Sequence, residues 1–276
     1  MAITAADVNK LRQMTGSGMM DCKNALVEAD GDFENAIDIL RKKGQKIAAK
    51  RADRSATEGY VVAKTNADHT YGAVLMLNCE TDFVGKTADF VGCATSIIDF
   101  AVDNQAKDLQ QLLDSEMNGR KINDILVEMT GKTGEKVELN RFEMIEAPFV
   151  ASYNHNGNRL AVIAGYNKKA ANIETVGHEI AMQIAAMNPI SVMEKDIPQS
   201  VIDRELDIAK ELARNEGKPE EMLEKIAQGR LNKFFKESTL VHQEFIRDNK
   251  KTVAQYMTET DKELVCVGFF RLQLGE

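Results

Sequence analysis

Apolar side chains recur at helical spacing along the first 44 residues of the chain. The pattern predicts three short helices, separated by a glycine-rich break at residues 15–18 and by a turn at residues 29–31. Gly44 is expected to end the third helix. Because a unit of this size is marginally stable by itself, the pattern favours either a compact three-helix module or a unit that docks on a partner.

A different pattern occurs twice further along the chain. Apolar residues on both sides of a polar turn predict a β-hairpin at residues 59–77, and a similar segment predicts a second hairpin at residues 149–164. Helical spacing of apolar residues follows each hairpin. The repetition predicts a duplicated α+β unit, with each half built of a hairpin plus helices, rather than a βαβ array.

A charged segment after Pro189 interrupts the second of these units. Apolar positions at helical spacing, with a turn at residues 217–219, predict a helical hairpin inserted at about residues 190–236. A short helix at residues 253–257 and a strand at residues 264–272 are expected after the hairpin.

Basic residues are concentrated directly after the three-helix unit. Residues 41–54 contain seven basic residues and one acidic residue, which is typical of a solvated helix tail and linker, with a dedicated anion site as the alternative. We therefore predict three parts. They are an N-terminal module with the basic linker (residues 1–54), a first core subdomain (residues 55–140) and a second core subdomain that carries the helical hairpin (residues 141–276).

Composition narrows the range of partners. The 276 residues include 35 Lys and Arg against 43 Asp and Glu, a formal net charge of −8. Electrostatic binding to nucleic acid needs a surplus of cations against phosphate, so no direct nucleic-acid partner is predicted. The four cysteines form no C-x-x-C pair, and the sequence has neither signal-peptide features nor a run of about 18 apolar residues. These features predict a cytoplasmic protein that is not bound to a membrane.

The motifs for catalysis or nucleotide binding are incomplete. Two Gly-Lys-Thr tripeptides, at residues 85–87 and 131–133, lack the preceding glycine that a phosphate-binding loop requires. His178 and Glu179 begin like a helical zinc motif, but its second histidine would fall at Met182. No nucleophile-elbow pattern G-x-S-x-G is present. The sequence therefore predicts no enzyme, no cofactor and no metal site of its own.

The segment after the second predicted strand combines unusual side chains. Glu80 and Asp82 flank Thr81, and Phe83 follows at a strand-to-helix corner. In one interpretation, Thr81 or Asp82 caps the helix and Phe83 packs in the core. In the other, a carboxylate and an aromatic ring project together as a wedge into another protein. The residues by themselves leave both interpretations open.

Two segments carry a specific resemblance. Residues 11–26 have the sequence LRQMTGSGMMDCKNAL, and residues 79–84 have the sequence CETDFV. The first resembles the N-terminal signature of the bacterial elongation factor Ts family, and the second resembles the T-D-F-V motif of that family. The resemblance covers nearly the whole chain. It implies a three-helix module similar to a ubiquitin-associated domain, two half-core units and an inserted helical hairpin.

The resemblance also implies a function. Family members are guanine nucleotide exchange factors that bind elongation factor Tu in its GDP-bound and nucleotide-free forms. They disturb its Mg²⁺ and phosphate site and promote GDP release. The residues that match the family's Mg²⁺-displacing motif are Thr81, Asp82, Phe83 and Val84. Those that match its partner-binding positions are Arg12, Met19, Met20, Lys23, Arg51, Gly134, His155 and Ile246.

Other interpretations of single residues and departures from the family pattern remain. Met19 and Met20 suit an adaptable contact surface, but one or both would also fit in a three-helix core. The turn that holds His155 is one residue longer than the family pattern, which would reposition this side chain. In the other interpretation, His155 is a loop residue that is simply exposed to solvent. Arg247 stands where the family has an apolar residue. The sequence ends at residue 276, whereas some members carry a further C-terminal helix.

Two alternative functions and several assemblies stay open at this point. The three-helix unit could tether an unrelated binding protein, and Cys79 could act as the nucleophile of an enzyme. A homodimer and a 2:2 complex with the partner are both compatible with the residues.

Overall fold

The computed structural model describes residues 3–276 and confirms the predicted α+β class. In chain order, the helices are α1 (Ala5–Thr15), α2 (Met19–Glu28), α3 (Phe33–Arg51), α4 (Asp82–Gly85), α5 (Ala88–Asp103), α6 (Leu109–Asp114), α7 (Ile122–Thr133), α8 (Ile173–Met187), α9 (Gln199–Asn215), α10 (Glu220–Ser238) and α11 (Val253–Thr260). The strands are β1 (Glu58–Thr65), β2 (Tyr71–Cys79), β3 (Glu116–Met117), β4 (Arg120–Lys121), β5 (Glu138–Glu146), β6 (Phe149–Asn154), β7 (Leu160–Tyr166), β8 (Glu244–Phe245), β9 (Asp248–Thr252) and β10 (Cys266–Gln273). Two 3₁₀ turns lie at Glu194–Asp196 and Leu240–His242.

The first three helices form the predicted N-terminal module. The side chains of Thr4 and Asp32 accept backbone N–H groups and so begin α1 and α3. Gly16 ends α1 in the left-handed region, at a φ of 66°. Leu11 and Leu26 are fully buried where the helices meet, and burial of each contributes about 1.5–3 kcal/mol.

The prediction that Gly44 ends the third helix is wrong. α3 continues to Arg51, and Gly44 is buried where α3 packs against α7. A Cβ built on Gly131 of α7 would lie 2.7 Å from the Cα of Gly44. Glycine serves here as a point of close backbone approach rather than as a helix stop. As a result, the helix tail predicted within the basic segment 41–54 extends to Arg51 and packs on α7, while most of its basic side chains stay exposed as predicted.

Two three-stranded antiparallel sheets form the centre of the molecule. The first has the strand order β1-β2-β5, and the second has the order β10-β7-β6. Both predicted hairpins are confirmed as the pairs β1–β2 and β6–β7. The strand β5 was not predicted. It pairs with β2 from Glu138 to Glu146, across the predicted boundary at residue 140, so the second sheet begins only at Phe149.

The sheets pack against each other, and helices cover their outer faces. In β2, Leu75 and Leu77 belong to the cluster that includes α5, whereas Val74 and Met76 belong to the layer between the sheets. Successive side chains of a strand point to opposite faces, so a strand between two layers must be apolar on both. β7 has the same role in the second sheet, which is covered by α8.

The inserted helical hairpin is confirmed as α9 and α10. The helix at residues 253–257 and the C-terminal strand are confirmed as α11 and β10. The division into residues 1–54, 55–140 and 141–276 stays a prediction. Within residues 3–276, none of the helices has the length and apolar character needed to span a bilayer.

Candidate functional site

Residues 81–84, which we call the wedge, follow β2 and include most of the one-turn helix α4. The Thr81 hydroxyl oxygen accepts the N–H of Val84 at 3.4 Å, and the Thr81 carbonyl oxygen accepts the N–H of Gly85 at 3.2 Å. Thr81 is therefore the cap of α4, as one of the two interpretations predicts. An isolated single turn has little stability of its own, so the wedge depends on what surrounds it.

Phe83 points into solvent. Its side chain is 83% exposed, so the interpretation that packs it in the core is wrong. Asp82 is also accessible, and its carboxylate accepts a hydrogen bond from Lys86 at 2.5 Å, which lowers its pKa. Val84 is partly buried and packs against the core of the first sheet. The wedge thus presents a carboxylate and an aromatic ring from a turn that Val84 anchors.

The base of the wedge rests on a close backbone contact. Gly59 in β1 has a φ of +148°, and a Cβ built on it would lie 2.0 Å from the carbonyl oxygen of Leu77. A Cβ built on Gly85 would lie 3.3 Å from the Cα of Gly59. These contacts leave α4 seated directly on β1, with no space for a side chain beneath it.

Cys79 is buried under the same loop. Its thiol lies 3.1 Å from the carbonyl oxygen of Thr81, to which it donates a hydrogen bond. Burial, and then the charge of Glu135, raises the pKa of Cys79 to about 12. A nucleophilic cysteine reacts as its thiolate, so this environment argues against the alternative in which Cys79 carries out catalysis.

Arg51 reaches the loop from α3. Its NH1 group lies 2.8 Å from both carboxylate oxygens of Glu80, and Arg54 lies 3.6 Å from one of them. The backbone N–H of Lys136 donates to Glu80 at 2.7 Å. That bond first, and then Arg51, lowers the pKa of Glu80. Part of the basic segment therefore does bind an anion, but the anion is a carboxylate of the same chain.

The turn after α7 completes the surroundings of the wedge. Gly134 ends α7 in the left-handed region, at a φ of +73°, and its N–H donates to the carbonyl of Thr130 at 2.9 Å. The next residue, Glu135, accepts the N–H of Thr81 at 3.0 Å and its hydroxyl at 2.7 Å. Sequence reasoning missed Glu135, although it directly follows the glycine that the resemblance singles out.

The predicted contact residues of the N-terminal module are exposed, and Met19, Met20 and Lys23 form a surface on one face of α2. Met19 is 51% exposed and Met20 is 64% exposed, so the alternative that buries one or both is wrong. Arg12 and Lys23 are exposed as well. Val27, which is 56% exposed and one helical turn beyond Lys23, extends the surface and was not predicted.

The last two predicted contact residues lie on turns of the second half of the chain. His155 is exposed in the β6–β7 turn, with its Nδ1 atom 2.9 Å from the hydroxyl of Tyr153. Ile246 is 41% exposed in the β8–β9 turn, and its N–H donates to the side chain of Gln183 at 2.8 Å. The neighbouring Arg247 forms an ion pair with Glu179.

The last residue of the β6–β7 turn is Arg159, which pairs with the first residue of β1. Arg159 pairs with Glu58 at 2.5 Å, and Glu58 and then Asp82 raise the pKa of Arg159. The structure therefore gathers the wedge, Arg51 and Gly134 around one loop. It places the contact residues of the N-terminal module, His155 and Ile246 on separate elements. Among residues 3–276, no group of three or more His, Cys, Asp or Glu is arranged to hold a metal ion.

Comparison with known proteins gives a consistent result. A family model described as Elongation factor TS matches residues 80–276. The protein named Elongation factor Ts from Christiangramia forsetii is 51% identical over 273 residues, covering 99% of each chain. The protein of the same name from Flavobacterium psychrophilum is also 51% identical over 273 residues, with 99% of each chain covered. That from Amoebophilus asiaticus is 50% identical over 276 residues, which is 100% of both chains.

Proposed function

The chain belongs to the elongation factor Ts family, and on that premise we propose that it is a translation elongation factor that exchanges guanine nucleotide on elongation factor Tu. The observation that carries the proposal is the wedge. Phe83 is almost fully exposed on an anchored turn, beside a carboxylate. An isolated aromatic ring held in water gains about 1.5–3 kcal/mol when a partner buries it, which suits a contact made only in a complex.

In the proposed mechanism, the wedge enters the nucleotide-binding domain of elongation factor Tu near its Mg²⁺ ion. Phe83 packs between helices of the partner, and Asp82 brings a negative charge to the groups around the metal. Mg²⁺ requires near-ideal octahedral geometry, so a small displacement of its ligands weakens its hold on the β-phosphate. Release of GDP then follows from a change in the partner rather than from bond-making chemistry in this chain.

Thermodynamic linkage relates the affinity of elongation factor Tu for GDP to its affinity for the factor. If the factor lowers the affinity of elongation factor Tu for GDP, then GDP lowers the affinity for the factor by the same ratio. The GDP-bound complex is therefore weak and short-lived, and the nucleotide-free complex is the tight one. GTP can then bind and displace the factor.

The remaining contacts in the proposal follow the resemblance. The exposed surface of the N-terminal module, with Met19 and Met20 at its centre, binds the nucleotide-binding domain together with Arg12 and Lys23. Arg51 and Gly134 act near the wedge, and His155 and Ile246 contact the partner from the second half. A cytoplasmic location follows, because translation elongation takes place there. The chain requires no cofactor for this role.

The proposal is tested by GDP release. Elongation factor Tu loaded with a fluorescent GDP analogue is mixed with excess unlabelled GDP and increasing amounts of this protein, from catalytic amounts to an excess over elongation factor Tu. We expect the release rate to rise with the concentration of the factor and to saturate. A release rate equal to the spontaneous one would reject the proposal. Measurement of the mass of the complex in a parallel sample without free nucleotide decides between a 1:1 and a 2:2 assembly.

A further inference from the structure

Two carboxylates join the loop that carries the wedge to the turn after α7, and each segment supplies one of them. Glu135, in the turn, accepts the backbone N–H of Thr81 at 3.0 Å and the Thr81 hydroxyl at 2.7 Å. Glu80, in the loop, accepts the backbone N–H of Lys136 at 2.7 Å. Each segment therefore supplies a carboxylate to a backbone donor of the other. We call this arrangement the carboxylate clamp.

We propose that Glu135 and Glu80 are positioning residues for the wedge, and that the carboxylate clamp fixes the direction in which Asp82 and Phe83 leave the core. This inference rests on the proposed exchange function and adds to it two residues that belong to neither the wedge nor the partner-binding set. Neither carboxylate is needed to touch the partner, because each acts through the loop.

The role of Glu135 follows from the two bonds of one hydroxyl group. The Thr81 hydroxyl donates to Glu135 and accepts the N–H of Val84 at 3.4 Å. A hydroxyl has one hydrogen and two lone pairs, so a fixed acceptor for the hydrogen also fixes where the lone pairs point. Glu135 thus orients the cap of α4. Since α4 has only four residues, its direction depends on that cap.

The role of Glu80 is to join the loop to two other elements. It binds the turn through Lys136 and binds α3 through Arg51, which donates to both carboxylate oxygens at 2.8 Å. The Glu80 side chain is 13% exposed, so these are partly desolvated, charge-assisted hydrogen bonds. The same contacts lower the pKa of Glu80, the bond from Lys136 first and then the pairing with Arg51. The carboxylate clamp therefore links the wedge to the last turn of the N-terminal module.

Exchange kinetics with two substitutions at one position test the inference. In Glu135→Ala both acceptors are lost, whereas in Glu135→Gln the amide oxygen can still accept the Thr81 hydroxyl, so the hydroxyl hydrogen keeps an acceptor and only the bond to the Thr81 N–H is lost. For Glu135→Ala we expect the maximal rate of GDP release to fall about tenfold or more, with the half-saturating concentration within about threefold of the original. Glu135→Gln is expected to retain most of the rate.

The matched control is Glu138→Ala, which removes a nearby carboxylate that pairs with Lys136 at 3.0 Å. It is expected to leave both kinetic constants unchanged. A maximal rate for Glu135→Ala equal to that of the control would overturn the inference. An equal loss in Glu135→Ala and Glu135→Gln would overturn it as well, because the hydrogen bonds would then not be responsible.

Removal of the Thr81 hydroxyl group provides an independent test of the inference. This test can also be made if Glu135→Ala does not fold. Thr81→Val removes the hydroxyl and is expected to lower the maximal rate as much as Glu135→Ala does. If the two groups act together, the double variant Thr81→Val with Glu135→Ala loses little more than either single variant. Independent, multiplying losses would contradict the inference.

The same measurements separate this inference from the proposed function. If the unmodified protein does not accelerate GDP release, the exchange function fails. If the unmodified protein accelerates release and Glu135→Ala does so equally well, only the carboxylate clamp is rejected. Thermal unfolding midpoints of the variants show whether a lost rate reflects a changed direction of the wedge or an unfolded protein.

Discussion

Gly131 of α7 lies directly against Gly44 of α3, and a Cβ built on Gly131 would stand 2.7 Å from the Cα of Gly44. Real Cβ atoms are not found at such a distance from a backbone carbon, so a side chain at position 131 would push the two helices apart. This contact sets how closely the N-terminal module packs on the first core unit.

The first prediction concerns this helix contact. Gly131→Ala is expected to lower the free energy of unfolding by about 1 kcal/mol, because overpacking costs about 1–3 kcal/mol and exceeds the helix preference of alanine. Gly92→Ala is the matched control, since Gly92 lies within α5 with no neighbouring atom within 4 Å. It is expected to stabilise by up to about 1 kcal/mol. Urea unfolding measures both, and a stabilising Gly131→Ala would contradict the contact.

The second prediction separates the role of Phe83 from folding. Because Phe83 is 83% exposed, Phe83→Ala is expected to change the free energy of unfolding by less than about 0.5 kcal/mol. Combined with Asp82→Ala, it is expected to slow the maximal rate of GDP release strongly while binding persists through other surfaces. Loss of binding with an unchanged maximal rate would show that the wedge is only an anchor.

The third prediction concerns the exposed methionines of the N-terminal module. Met19→Ala with Met20→Ala is expected to raise the half-saturating concentration of the factor about tenfold and to leave the maximal rate within about twofold. The reason is that, in the proposed function, this surface contributes contact area but does not reach the nucleotide site. Met222→Ala, at a position of α10 that is 45% exposed, is the control and is expected to change neither constant.

The fourth prediction concerns the pH dependence of stability. The folded-state pKa of Glu80 lies below its ordinary value of 4.5, so the unfolded chain binds more protons between these two pKa values. The stability due to Glu80 is therefore present above about pH 4.5 and is lost as the pH falls through the folded-state pKa. Glu80→Gln is expected to cost about 1 kcal/mol at pH 7.

Urea unfolding at a series of pH values checks this expectation. The difference between Glu80→Gln and the unmodified protein is expected to shrink below pH 4.5. A difference that stays constant as the solution is acidified would show that Glu80 is not held as a carboxylate. Glu138→Gln is a suitable control, because the side chain of Glu138 is 38% exposed and such surface ion pairs contribute little.

The fifth prediction concerns thiol reactivity. All four cysteines are buried, and burial raises the pKa of Cys79 to about 12. The reactive thiolate of Cys79 is therefore scarce at pH 7, so reaction with a thiol reagent is expected to be very slow in the folded protein. Urea is expected to make all four thiols react rapidly. Fast modification of Cys79 in the folded protein, together with loss of activity, would support the enzyme alternative.

Much of the secondary structure could be predicted because its signals are local. The periodicities that predict the two hairpins, the inserted helical pair and α11 each lie within a few residues of one another. β5 was missed because it follows directly on a helical unit and pairs with β2, far from it in sequence. The end of α3 was wrongly predicted because the use of Gly44 depends on another helix.

The sequence by itself determined which side chains the wedge carries and limited the cap of its helix to Thr81 or Asp82, since a cap needs only residues a few positions apart, and the structure shows that the cap is Thr81. Only the tertiary structure decided that Phe83 faces solvent, because the core behind it is already filled by Val84 and the first sheet. The tertiary structure also decided which residues of the same chain contact the loop that carries the wedge. Glu135 lies 54 residues from Thr81 and Arg51 lies 29 residues from Glu80. Contacts at such separations form only when the sheets and α3 have packed, so no local pattern encodes them.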